Sequence, residues 1–183
     1  MRKEDILFIP GWMEEGKFYG YPNSLDIWTK KNLDLNCKFN EDLIVAHSAG
    51  SLVALVNWKN NKDSKLILFG PMIPKRHPIE WLYRWIKFIL KEGPPPAVKK
   101  LSFIKNLPLG FRILMKLQKI DSLELIKKIP KDKLIIVRGS KDHYFCDEKI
   151  SNSLKEEGFN VVEIKNIGHN WKKEVDNFLS KNI

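Results

Sequence analysis

The sequence predicts an α/β fold, a small parallel β-sheet flanked by helices. Three observations predict it. Short apolar runs rich in Ile, Val, Leu and Phe recur near residues 6–9, 43–47, 65–69, 133–138 and 160–165. Unbroken apolar runs of this length suit strands buried on both faces. Amphipathic helical stretches separate most of them, and such alternation implies a parallel sheet. Finally, the runs stop at turn residues, such as Pro10-Gly11, Gly70-Pro71 and Gly139, as strand ends do.

Bulk properties narrow the class further. A chain of 183 residues holds one domain, residues 1–183, with a real core and little more. Its 43% hydrophobic and 30% charged content is globular rather than disordered. No run approaches the roughly 18 apolar residues of a membrane span. Met1-Arg2-Lys3-Glu4-Asp5 lacks the apolar segment of a signal peptide. Cys37 and Cys146 form neither a disulfide framework nor a metal spacing, so a reducing cytoplasm fits best. The net charge of +10 is uneven: residues 72–133 hold 15 of the 32 Lys/Arg and 5 of the 22 Asp/Glu. The basicity therefore belongs to one segment.

Taken in order, Ile6–Ile9 forms the first strand. Residues 12–21, with Gly16 and Gly20, form a loop. Asn23 or Ser24 is expected to cap a helix running to about Asn32. Leu33, Leu35, Cys37 and Phe39 alternate like a strand, but only Asn40-Glu41-Asp42 separate them from the next run. A parallel crossover needs about a dozen residues, so this stretch is expected to be an extended connector. The strand at 43–47 is followed by a helix at about 49–60, then by the strand at 65–69.

Residues 72–132 break the alternation. Trp81, Leu82, Trp85, Ile86 and Ile89 mark one face of a helix over 79–91, stopped by Gly93-Pro94-Pro95-Pro96. Two helices, about 97–106 and 110–119, are expected on either side of Pro108. Asp121 or Ser122 caps a short helix to about Lys128. The strand at 133–138, a helix at 147–157 stopped by Gly158, the strand at 160–165 and a helix at 170–181 complete the chain. Right-handed crossovers moving steadily one way put every connecting helix on one face. The other face is then left to the segment near 22–33 and the C-terminal helix.

Chemistry concentrates where strands end, since the crevice of an open parallel sheet lies at their carboxyl ends. Ala46-His47-Ser48-Ala49-Gly50 turns from a strand into a helix through a serine flanked by small residues. That is the pattern of a nucleophile elbow, with Ala46 where a first glycine is usual. Asp142 lies four residues beyond the fourth strand and His169 four beyond the fifth. A serine hydroxyl needs an adjacent base to attack at neutral pH. His169 is that base, and Asp142 would hold its imidazole in the required tautomer. Taken singly, Asp142 also suits an Asx turn and His169 a helix cap; Asp147 is the fallback acid. His47 is expected to pack beneath the elbow, with His77 and His143 as bystanders. An oxyanion hole needs two preplaced N–H donors; Ala49 supplies one and Trp12, after the first strand, the other.

Ile6–Trp12, Ala46–Gly50, Val137–Asp142 and Ile167-Gly168-His169 together make the chain resemble a small α/β-hydrolase. The Ser…Asp…His order is the order of that family. The compact length is similar to hydrolases like retinoblastoma-binding protein nine. The Gly-Trp turn is similar to pimeloyl-acyl-carrier-protein methyl ester esterases. Pro10 stands where the family usually has histidine. The family's two leading strands and the strand–helix pair before the elbow have no counterpart.

The resemblance implies a minimal sheet of about five parallel strands with a basic helical lid, residues 72–132. It further implies hydrolysis of a carboxylic ester or thioester through an acyl-Ser48 intermediate, with no metal or organic cofactor. The lid's aromatics suit an apolar pocket. Its Lys99, Lys100, Arg112, Lys116, Lys119, Lys127 and Lys128 suit an acidic acyl carrier protein, and the 79–91 helix suits an anionic membrane. Nucleic acid ranks third, since no reading module is present. The rival is a non-catalytic binding protein on a hydrolase scaffold.

Overall fold

A computed structural model describes residues 2–29, 39–60, 62–73, 75–94 and 101–182, without the side chains of 29 and 101–104. Five strands form one all-parallel sheet: β1 (Leu7–Ile9), β2 (Leu43–His47), β3 (Lys65–Phe69), β4 (Leu134–Gly139) and β5 (Asn160–Ile164). Their order in the sheet is their order in the chain. Every residue of β2 and β4 is buried, which explains why those segments carry no polar alternation. The register sets Ala46 beside Leu68, and Phe69 beside both His47 and Val137. The three central strands therefore end nearly level.

The connecting helices share one face, as steady right-handed crossovers require. Leu52 and Val53 of α1 (Gly50–Asn57), Ile126 of α4 (Ser122–Lys127) and Leu154 of α5 (Glu148–Glu156) pack in one core with Ile44, Leu66 and Ile136. Trp81 and Phe88 of α2 (Pro78–Glu92) and Ile113 and Leu117 of α3 (Leu101–Leu117) extend that core over the carboxyl ends of the strands. The opposite face is covered by Val175 and Leu179 of α6 (Lys173–Asn182) and by Tyr19 and Tyr21. Full burial of such side chains contributes about 1.5–3 kcal/mol each.

Three expectations are corrected. Asn23–Leu25 does not open a helix. Phe8 N–H donates to Asn23 and Leu25 N–H to Phe8, so this segment bridges the outer edge of β1. An unpaired strand edge offers a row of free donors and acceptors, and that demand outweighs the capping signal at Ser24. Among the described residues a 3-10 turn, Ile27–Thr29, follows, residues 30–32 of the expected helix lie outside them, and Ile27 and Trp28 pack with the α1 face rather than the α6 face. The expected connector at 33–39 and Cys37 lie outside the described residues, apart from Phe39. Second, α3 runs unbroken through Pro108. The proline forfeits one backbone hydrogen bond, and the burial of Ile113 and Leu117 beyond it outweighs that loss. Third, the apolar face of α2 is narrower than expected: Trp81 and Phe88 are buried, while Leu82 and Ile86 are 45% and 46% exposed.

Candidate active site

β2 delivers Ser48 into the left-handed region, at φ 51°. A non-glycine residue there is strained, and the surroundings over-determine it. Ser48 N–H donates to the Phe69 carbonyl, extending the sheet by one bond. Gly50 lies so close to the Ile9 and Pro10 carbonyls that any Cβ would collide with them. The elbow is thus clamped between β3 and the turn after β1.

The loops after β4 and β5 meet over this serine. Ser48 Oγ lies 2.8 Å from His169 Nε2, and His169 Nδ1 lies 2.8 Å from Asp142 Oδ2. All three residues are buried. Asp142 Oδ1 accepts from the Tyr144 and Phe145 N–H groups at 3.1 and 3.2 Å. Burial pushes the Asp142 carboxyl up, but the charge and hydrogen bond of His169 and the two amides outweigh it, so it is held below the usual carboxylate value. In a neutral imidazole whose proton sits on Nδ1 toward this carboxylate, Nε2 is the acceptor that faces the Ser48 hydroxyl. Gly70, at φ +51°, gives this chain room; a Cβ there would sit 2.8 Å from His169 Nδ1.

The backbone of His169 is held separately. His47 Nε2 donates to the His169 carbonyl at 3.0 Å, and the Tyr19 hydroxyl pairs with His47 Nδ1 at 2.9 Å. Glu92, the last residue of α2, accepts from His169 N–H at 2.8 Å and from Asn170 N–H at 3.1 Å. Phe145 and Phe88 lie against the imidazole, with ring centroids 4.3 and 5.2 Å away.

The shape of the whole chain has solved counterparts. No family model and no curated protein matches the sequence. A thioesterase domain from the curacin biosynthetic pathway is similar, at TM-score 0.59 and 16% identity over 96% of this chain and 89% of that one. A hydrolase from Oleispira antarctica matches at TM-score 0.57 and 13% identity, covering 97% and 91%. A structure described among carboxylesterases of the thaumarchaeon Nitrososphaera gargenis matches at TM-score 0.52 and 11% identity, covering 96% and 88%.

The chain has the α/β-hydrolase fold.

On this α/β-hydrolase sheet the serine, histidine and aspartate stand beyond the ends of β2, β5 and β4, with His169 bridging the other two. Ala49 opens α1 directly behind Ser48. Trp12 lies in the turn after β1, where Met13 is also left-handed, at φ 63°. The Trp12 indole donates to the Gly110 carbonyl at 3.1 Å and meets Trp85 edge-on at 5.0 Å. Trp12 thereby joins the first turn to α3, a role its side chain gave no warning of in the sequence. A Cβ on Gly110 would overlap the Met13 sulfur, so α3 can approach this turn only at a glycine. A cavity of about 250 Å³ opens between Ser48 and these helices, walled largely by Trp12, Trp81, Trp85, Phe88 and Leu114.

Other candidates have structural duties. Asp147 caps α5 through Ile150 N–H and pairs with Arg76 at 3.4 Å. His77 caps α2 through Ile79 N–H. His143 is exposed beside the acid. Cys146 is a buried free thiol whose pKa burial raises to about 12. Among the described residues, no three His, Cys, Asp or Glu side chains converge as metal ligands, and no helix is long and apolar enough to cross a membrane. Sequence reasoning missed Glu92 and Glu14, because a lone glutamate at a helix end or in a loop looks like any solvated charge.

Proposed function

We propose that this chain is a serine hydrolase that cleaves a carboxylic ester or thioester through an acyl-Ser48 intermediate. The observation that carries the reading is the unbroken chain Ser48 Oγ–His169–Asp142, with both links at 2.8 Å, ending on a serine in strained backbone. In this mechanism Ser48 Oγ bonds to the substrate carbonyl carbon while its proton passes to His169 Nε2. The resulting oxyanion is met by the Ala49 and Trp12 amides, each worth about 2.7–4 kcal/mol by mutational precedent. His169 then protonates the departing oxygen or sulfur. Water, losing a proton to His169, releases the acid and restores Ser48.

The helices of residues 72–132 serve in this reading as a lid, with α2 and α3 walling the acyl cavity. The Gly11-Trp12 turn and the short chain support a place beside the hydrolases similar to retinoblastoma-binding protein nine and to pimeloyl-acyl-carrier-protein methyl ester esterases. Arg112 and Lys116 of α3, and Lys119 in the turn just beyond it, are exposed near the cavity-lining Phe111 and Met115, which suits an acyl group presented by an acidic carrier. Lys127 is engaged by Glu157 at 3.1 Å, and Lys99 and Lys100 lie outside the described residues.

A fluorophosphonate probe tests the reading. Wild type is expected to label, and Ser48→Ala and His169→Ala are not. A folded wild type that resists the probe and leaves short p-nitrophenyl esters intact would instead be a binding protein on this scaffold.

A further inference from the structure

Glu14 lies in the turn after β1 and is only 4% exposed. Among the described residues its carboxylate accepts no hydrogen bond. The nearest cationic candidate, His47 Nδ1, is 3.8 Å away, beyond hydrogen-bond reach. Nor does His47 depend on it, since its two ring nitrogens already pair with Tyr19 and the His169 carbonyl. A carboxylate in a protein interior is costly where hydrogen bonds do not satisfy it, and the oxygens of Glu14 face two cavities instead.

Its position shows what could complete it. Glu14 lines the apolar cavity at Ser48, and it also lines an adjoining cavity of about 260 Å³ bordered by Phe18, Tyr19 and Trp171. A single point, where Gly11 would carry a Cβ, lies 3.0 Å from Glu14 Oε2 and 3.4 Å from Ser48 Cβ. The carboxylate therefore stands beside the nucleophile, within reach of a group close to the reacting carbonyl. An anion there opposes the oxyanion that forms on attack, unless the substrate brings a compensating positive charge. A carboxylate with aromatic walls is also the setting in which ammonium groups bind well.

We propose that Glu14 binds a protonated amine of the substrate. The preferred substrates are then esters or thioesters carrying an ammonium group a few bonds from the scissile carbonyl, with their aliphatic part in the apolar cavity. This substrate assignment rests on Ser48 being the nucleophile; the amine site itself does not.

The test titrates n-hexylammonium and, as a neutral isostere, n-hexanol into wild type, Ser48→Ala and Glu14→Gln by calorimetry. The amine is expected to bind wild type and Ser48→Ala. Glu14→Gln should weaken it at least tenfold without changing hexanol binding. A far-ultraviolet circular dichroism spectrum of Glu14→Gln matching wild type certifies the fold. With substrates, wild type should favour L-leucine ethyl ester over ethyl 4-methylpentanoate at least tenfold in kcat/KM, a preference Glu14→Gln abolishes. Failure of wild type to bind the amine, or amine binding that survives Glu14→Gln, overturns the proposal. Amine binding that depends on Glu14 in a chain that resists the fluorophosphonate upholds the site and removes only the hydrolase. A labelled chain that binds the amine through Glu14 but shows no preference between the two esters overturns only the substrate assignment.

Discussion

Ser48 is held where an ordinary side chain does not rest, and this strain can be measured. Ser48→Gly and Ser48→Ala both lose the hydroxyl, but only alanine keeps a Cβ at φ 51°. Ser48→Gly should therefore be the more stable of the two by about 1 kcal/mol in urea denaturation. Asp142 makes a prediction about acid. Its folded pKa lies below its ordinary value of 3.8, so the folded chain binds this proton less readily than the unfolded one. The stability it supplies is complete above that value and is lost as pH falls through the folded pKa. Asp142→Asn should flatten this acid limb in Tm measured stepwise through and below that range. The same substitution should lower kcat by about four orders of magnitude, since the neutral amide no longer enforces the tautomer. Ser48, Asp142 and His169 were legible because residue type, position after a strand and chain order coincided. Glu14 and Glu92 were not, since their meaning lies in what each faces, and neither periodicity nor spacing encodes that.

At the scale of elements, α2 ends on the loop that carries His169. Glu92 accepts from two successive amides of that loop, and a Cβ on Gly168 would run into its carboxylate. Glu92 thus ties the cavity wall to the His169 loop, and in the proposed hydrolase it is a positioning residue. Glu92→Ala should cost about 1–3 kcal/mol by leaving those amides unpaired. It should also lower kcat by about ten- to a hundredfold through misplacement of the imidazole, with KM nearly unchanged because the apolar wall remains. Glu92→Gln, which keeps an acceptor, should recover part of the loss. Pro108 makes a second case. It sits inside α3, where proline is about 3 kcal/mol worse than alanine, so Pro108→Ala should raise Tm. Reading a helix break there followed local chemistry faithfully. The break did not occur because Ile113 and Leu117, beyond the proline, are buried in the core. The edge of β1 misled in the same way, since the need to pair Phe8 is invisible from Asn23–Leu25 alone.

For the molecule as a whole, the parallel sheet and the single face shared by the crossover helices follow from short apolar runs and right-handed connections. That much of the architecture was legible from the chain. The cavity was not, because it depends on how far α2 and α3 stand from the elbow, which is set by contacts as specific as Gly110 against Met13. The strand order β1-β2-β3-β4-β5 has a consequence in time. A ribosome releases the chain in the same sequence in which the sheet is laid down, so each strand after β1 finds one neighbour already made. Ser48 emerges early, Asp142 later and His169 last of the three, on the loop after β5. A nascent chain stalled before His169 leaves the exit tunnel can hold Ser48 in place at the end of β2 and still lack the imidazole that faces it. Reactivity toward an electrophilic probe would then switch on abruptly as His169 clears the tunnel, marking the moment at which β5 has docked.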